Sequence, residues 1–195
     1  MSKVVIIDYG AGNVKSVKFA LERIGLTPVL SRDKEVILSA DKLIFPGVGE
    51  ASSSMKALND YGLVQVIKGA KQPFLGICLG MQMMCDYSEE NDTKGMGIFP
   101  IPVKLFKSGE VKVPHMGWNQ IEDLKTPLFE GLTEKEYTYF VHSYYAPESE
   151  WTIASANYPE PFSAALHKDN FYGCQFHPEK SGVMGQRILK NFIEM

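Results

Sequence analysis

The sequence is poor in cysteine, in long apolar runs and in clustered positive charge, and each shortage excludes a class of protein. Only three cysteines occur, Cys78, Cys85 and Cys174, an odd number without a Cys-x-x-Cys pair. That excludes a disulfide framework and points to a reducing compartment, so a cytoplasmic protein is expected. Met1-Ser2-Lys3 leads into an apolar run of four residues, Val4 to Ile7, before Asp8 interrupts it. A secretory core or a membrane helix needs far more, so neither an export signal nor a membrane partner is expected. Twenty Lys and Arg against 23 Asp and Glu give a net charge of -3. The basic residues are scattered, without the phosphate-neutralising patch that a nucleic-acid partner demands. Gly10-Ala11-Gly12 lacks the third glycine of a dinucleotide fingerprint, where Lys15 stands, and no phosphate-binding Gly-Lys-Ser/Thr loop exists. No cofactor is therefore expected.

What is present is the balance of an ordinary globular chain, with 45% hydrophobic and 22% charged residues. At 195 residues it suits one domain, taken here as 1–195. A chain this long buries about 70% of its unfolded surface and needs no disulfide or metal to fold. Val4 to Ile7 reads as a strand buried on both faces, ended by the turn cluster Asp8 to Asn13. Val14, Val17, Leu21 and Ile24 then fall at helical spacing, with Gly25 as the stop. Thr27 to Leu30, Lys42 to Pro46 and Phe74 to Ile77 read as further strands. Met55, Leu58 and Tyr61 mark a helix, and Gly80 to Asp86 another. This alternation predicts an α/β fold, a three-layer sandwich with a mostly parallel central sheet. From Lys94 the chain turns β-rich, with strand-like Tyr137 to Tyr145, Trp151 to Ala156, Ala164 to His167 and Phe171 to Phe176. A helix over Val183 to Ile193 closes it. In such sheets the site lies beyond the carboxyl ends of the parallel strands.

Gly76-Ile77-Cys78-Leu79-Gly80 falls between a strand and an apolar helix. It is the cysteine version of the Gly-x-Ser-x-Gly elbow, whose glycines permit a tight turn that lifts the central side chain out of the sheet. The helix start favours a thiolate at Cys78. A buried structural cysteine is the competing reading, and it is retained for Cys85.

A nucleophilic cysteine needs a base, and the base an orienter. Of His115, His142, His167 and His177, it is His177 that a proline keeps extended with a carboxylate two residues on, in His177-Pro178-Glu179. Residues i and i+2 of an extended chain share a face, so Glu179 can hold the imidazole as the third member of a triad. Alone, the segment reads more readily as a surface turn, and the cysteine elbow reverses that. Cys174 and His177 point to opposite faces of an extended strand and have no second pair, which argues against a metal site. Leu79 supplies one backbone donor for an oxyanion hole, and the glycine-rich turn Pro46-Gly47-Val48-Gly49 can supply another through Gly47 and Val48.

Together these segments resemble the class I (triad-type) glutamine amidotransferases. Gly76 to Gln82 matches the family's nucleophile motif and Gln175 to Glu179 its His–Glu motif. Asp8 to Asn13, Pro46 to Gly49, Pro114 to Asn119, Phe140 to Tyr144 and His177 to Ser181 are similar to one subfamily, so the likeness spans most of the chain. The resemblance implies a flavodoxin-like amidotransferase fold and hydrolysis of glutamine by Cys78, His177 and Glu179. It implies that ammonia passes to a (β/α)8-barrel synthase (cyclase) subunit in histidine biosynthesis, the two chains forming a heterodimer. By the same likeness Gln82, Glu90, Ser143 and Tyr144 hold glutamine, while Asn13, Trp118, Asn119, Tyr139 and Lys180 face the partner. Glu90 lies in the polar run Ser88 to Asp92, where a solvated charge run is the alternative. Glu50-Ala51 departs from the family's usual Ala-Phe after Pro-Gly-Val-Gly. His115 and His142 read as structural or interface residues. A paralogue with the same glutaminase chemistry but another acceptor, such as a sugar, fits the same motifs.

Overall fold

A run of β-branched residues without a polar face can only be buried on both sides. The computed structural model, which describes residues 2–107, 109 and 111–195, sets Val4–Ile7 as strand β1 inside a sheet. Helix α1 (Val14–Arg23), strand β2 (Val29–Ser31), helix α2 (Lys34–Leu38) and strand β3 (Lys42–Gly47) follow. Helices α3 (Ala51–Asp60) and α4 (Val64–Lys68) lead to strand β4 (Phe74–Cys78), which turns directly into helix α5 (Leu79–Met84). Strands β5 (Cys85–Ser88), β6 (Thr93–Lys94), β7 (Phe99–Leu105), β8 (His115–Ile121) and β9 (Glu136–His142) come next. The order ends with β10 (Tyr144–Tyr145), β11 (Thr152–Asn157), β12 (Pro161–Lys168), β13 (Phe171–Cys174) and helix α6 (Gly182–Glu194).

The seven-stranded central sheet runs β11-β12-β13-β4-β3-β1-β2. Its pairs from β13 to β2 are parallel, and β12 and β11 continue it antiparallel. The 2-1-3-4 order is flavodoxin-like, and it places a crevice at the carboxyl ends of the strands. Val5 and Ile7 face one core with Met55, Leu58 and Phe74. Val4 and Ile6 face the other with Val17, Leu21, Ile188 and Phe192. Strand alternation thus yields the expected three layers.

Local boundaries differ from the sequence expectation where pairing overrides periodicity. The helix expected to reach Asp86 stops at Met84, and Cys85 is already extended. Its last carbonyls are taken by Met96 N–H on Met83, Ile98 N–H on Met84 and Gly97 N–H on Cys85, at 2.8, 2.9 and 3.0 Å. A second, four-stranded sheet of β10, β7, β5 and β6 grows from that point, and β8 with β9 forms a separate antiparallel hairpin. The strand expected to reach Phe176 leaves the sheet after Cys174, and the one expected to reach Tyr145 breaks at Ser143.

Helix α5 packs unusually close to the sheet. A Cβ added at Gly80 would overlap the Phe45 carbonyl oxygen, and one at Gly47 would overlap the Gly80 nitrogen. Gly80 therefore serves close packing, while the strained torsion of the turn falls on Cys78 itself, with φ 54° and ψ -112°. Backbone atoms cannot yield as a side-chain tip can, so a Gly80→Ala variant should lose about 3 kcal/mol or more of stability. Urea unfolding of the purified protein measures it, and an unchanged midpoint would show that the helix can lift away without cost.

Candidate active site

The carboxyl ends of β3, β4 and β13 lie side by side, with Gly47 opposite Cys78 and Cys174 opposite Ile77. This register collects the segments singled out from the sequence at one edge of the sheet. Cys78 ends β4 in a sparsely populated backbone region, a conformation that costs about 1–3 kcal/mol and is typical of nucleophile elbows. Leu79 opens α5, so its N–H belongs to the first turn and has no partner within the helix. The Cys78 sulfur lies in a cavity of about 320 Å³, lined also by Val48, Gly49, Gln82, Glu90, Tyr144 and His177.

His177 is 1% exposed, and its Nδ1 lies 2.8 Å from Glu179 Oε1. A carboxylate can only accept there, so Nδ1 carries the proton. The other ring nitrogen, Nε2, is buried without a hydrogen-bond partner. Burial pushes the imidazole pKa down, but the neighbouring Cys78 sulfur and the Glu179 carboxylate more than offset it and raise it to about 10. The backbone is fixed as firmly as the side chain. His177 N–H donates to Tyr139 O at 2.9 Å, and the Ser181 hydroxyl donates to His177 O at 2.7 Å.

Of the two other cysteines, Cys85 donates to Met81 O, and both it and Cys174 are fully enclosed in the core. Burial drives both thiols far up in pKa. Cys174 and His177 also part company, one in the core and the other at the cavity. Among the described residues no cluster of three or more His, Cys, Asp or Glu side chains is arranged to hold a metal ion.

The residues read as an oxyanion hole divide. Val48 and Leu79 line the cavity, whereas Gly47 sits behind them in β3 against α5. The buried Tyr9 hydroxyl donates to Pro46 O at 3.1 Å, which anchors the strand just before Gly47. Gly49, at φ 104°, follows on the far side. Glu50 does not enter the cavity. It caps α3 by accepting from Ser52 and Ser53 N–H at 2.7 and 2.9 Å, and the Ser52 side chain, Ser53 and Asn91 together hold its carboxyl at about 2.

The residues read as glutamine-binding all reach the cavity. Gln82 is nearly buried, and both hydrogens of its amide are spent, one on Tyr144 O at 2.8 Å and one on Gln175 Oε1 at 2.9 Å. Its carbonyl oxygen is left as an acceptor. Glu90 is half-buried rather than solvated. Its carboxylate accepts from Ala51 N–H at 2.7 Å, and burial raises its pKa despite that bond.

Two further residues reach the site: Gln175, which was not singled out from the sequence, and His142, which was read as structural or interface. Gln175 donates to the Cys78 sulfur at 3.8 Å, and the ring of His142 lines the cavity. Strand alternation, which puts Gln175 on the face of His177, was the available signal for the first.

The residues read as facing a partner fall on the β8–β9 hairpin, in the turn after β13 and at the start of α1. Trp118 is 56% exposed on the β8–β9 hairpin, edge-on to Tyr139 with centroids 6.0 Å apart, and Lys180 Nζ lies 5.8 Å from the Tyr139 ring. Asn119 points to the opposite face of β8, as alternation requires, and donates to Asn157 O at 3.0 Å. Asn13 caps α1 by accepting from Ser16 N–H at 3.2 Å. No helix among the described residues is long and apolar enough to cross a membrane.

The family model described as glutamine amidotransferase class-I matches residues 5–195. The chain is 57% identical over 195 residues to the imidazole glycerol phosphate synthase subunit HisH of Bacteroides fragilis (strain YCH46), covering 99% of this chain and all of the relative. It is 51% identical, with the same coverage, to the subunit of that name from Pectobacterium atrosepticum. Among solved structures, a crystal structure of a glutamine amidotransferase superimposes with a TM-score of 0.76 over 98% of this chain and 97% of the other. At 20% identity that likeness speaks for the fold alone.

Proposed function

The chain belongs to the class-I glutamine amidotransferases, and on that premise we propose that it hydrolyses glutamine to glutamate and ammonia for a (β/α)8-barrel synthase (cyclase) subunit. That partner would use the ammonia to make imidazole glycerol phosphate and aminoimidazole carboxamide ribotide in histidine biosynthesis. The observation that carries the chemistry is the buried His177–Glu179 pair beside the strained Cys78. The identity of relatives more than half identical over their full length, imidazole glycerol phosphate synthase subunits, supports this acceptor over a sugar-amidating paralogue. A cytoplasmic location and a one-to-one complex go with this reading.

The geometry supports a thioester route. Glutamine lies in the cavity with its ammonium group toward Gln82 Oε1 and Glu90, and its backbone against Ser143 and Tyr144. Cys78 sulfur attacks the side-chain carboxamide carbon, and the oxyanion accepts from Leu79 N–H and from the peptide at Gly47-Val48. His177 is held protonated at neutral pH by its neighbours and gives the Nε2 proton to the leaving nitrogen. The C–N bond breaks, ammonia departs and a γ-glutamyl thioester remains. Water, deprotonated by the now neutral His177, then attacks the thioester carbon. Glutamate leaves as the C–S bond breaks, and Cys78 is restored. Trp118, Tyr139 and Lys180 form the part of the surface that would receive the partner.

Glutamate-release rates of the assembled complex test the triad. His177→Ala should cost at least about 10³-fold, since it removes the side chain assigned to carry the proton. Glu179→Gln should cost at least about tenfold less, since an orienter fixes geometry and tautomer without joining the bond changes. Equal losses would give Glu179 a larger part than orientation.

A further inference from the structure

Two buried histidines outside the triad form a hydrogen-bonded chain whose every proton can be assigned. His115 and His142 are directly opposed across the β8–β9 hairpin, and His115 Nδ1 lies 3.0 Å from His142 Nε2. His142 Nδ1 is 2.7 Å from Tyr144 O, and a carbonyl can only accept, so that nitrogen carries hydrogen. At the outer end Asn119 Oδ1 accepts from Gln120 N–H at 2.8 Å while Nδ2 donates to Asn157 O, which fixes how the amide is turned. Asn119 Nδ2 therefore presents hydrogen to His115 Nε2, 3.4 Å away, and that nitrogen must be the acceptor. The remaining bond follows: His115 Nδ1 donates to His142 Nε2. Every bond points inward, and both rings are neutral with hydrogen on Nδ1.

A proton added to either ring would set two donors face to face. Burial already disfavours it, pushing His115 down to about 4 and His142 to about 3. His115 is further clamped between Tyr158 and Phe140, with centroids 4.0 and 5.0 Å away. The inner end of the chain meets the cavity. Tyr144 O takes hydrogen from both His142 Nδ1 and Gln82 Nε2, and Gln82 in turn meets Gln175 beside the Cys78 sulfur. A carbonyl committed to two donors cannot swing, and the Gln82 amide bound to it keeps its own oxygen toward the cavity.

We propose that His115 and His142 are positioning residues for the amino-acid substrate, a neutral one-way relay that fixes the Tyr144 peptide and, through it, the acceptor face of Gln82. The inference rests on the glutaminase reading, because it assigns that face to the glutamine ammonium group. Nitrogen-15 chemical shifts of the histidine rings in the full chain at pH 7 test the relay without any activity. Both rings should show the Nδ1–H neutral form, and an Nε2–H or doubly protonated ring at either position would overturn the proposal.

Kinetics of the assembled complex then test its purpose. His142→Phe should raise the glutamine KM at least about tenfold and leave kcat within about threefold. His142→Asn, which keeps a donor where Nδ1 stood, should restore most of the KM. An unchanged KM in His142→Phe, or no recovery in His142→Asn, would overturn the positioning role. A wild-type complex that releases no glutamate would instead sink the glutaminase reading while leaving the ring measurement standing.

Discussion

A Cys78→Ala complex is expected to lose glutamine-dependent synthesis by at least about 10³-fold while keeping turnover on added ammonium salt. The asymmetry follows from where each bond is made. Cys78 carries the thiol that lines the cavity, and the fully enclosed Cys85 and Cys174 cannot replace it. On the proposed function the acceptor chemistry belongs to the partner, and ammonia from solution bypasses the thioester. Alanine also relieves the strained left-handed turn only slightly, since its own Cβ meets the same backbone, so the elbow should persist. Synthesis assayed with glutamine and then with ammonium salt separates the two halves. Retained glutamine-dependent turnover would remove Cys78 from the mechanism, and loss of both activities would mean that the substitution breaks the assembly.

The second large effect concerns the chain on its own. Ammonia in bulk water at neutral pH is mostly ammonium, which is no nucleophile, so glutamine hydrolysed without a waiting acceptor is wasted. The segment after β3 offers a place for restraint. Pro46 O is pinned by the Tyr9 hydroxyl, and Gly49 stands at φ 104°. Between them the peptide joining Gly47 to Val48 is the first that can turn. Its N–H reaches an oxyanion only in one orientation, and a missing oxyanion donor costs about 10²–10³ in rate. The isolated chain should therefore release glutamate very slowly. Adding the proposed barrel subunit with a nucleotide ligand, the precursor of its two products, should raise the rate at least about 10²-fold. Full activity in the lone chain would contradict both the restraint and the need for a partner.

Much of this was legible from residue order, and the exceptions share a cause. The β-branched Val4–Ile7 run and the Gly76–Gly80 motif state their structure locally, and β1 and the elbow lie where they were expected. Met83, Met84 and Cys85 carry no local stop. The helix ends there only because Met96, Gly97 and Ile98, a dozen residues on, claim its carbonyls. Asn119 was grouped with Trp118 by family resemblance, whereas the pleat of β8 sends them to opposite faces. Gly76 and Gly80 were read as turn glycines, but the steric contact that Gly80 makes is with Phe45, thirty-five residues away. The histidine chain was invisible for the same reason. His115 and His142 are neighbours only after the hairpin has paired.

The most direct test of the glutaminase account is to treat the assembled complex with an electrophilic glutamine analogue carrying a diazoketone in place of the carboxamide, then map the modified peptide by mass spectrometry. The account predicts one equivalent of label on Cys78, blocked by excess glutamine, and none on Cys85 or Cys174. Label on either of those buried cysteines, or an inhibited complex with Cys78 unmodified, would contradict it.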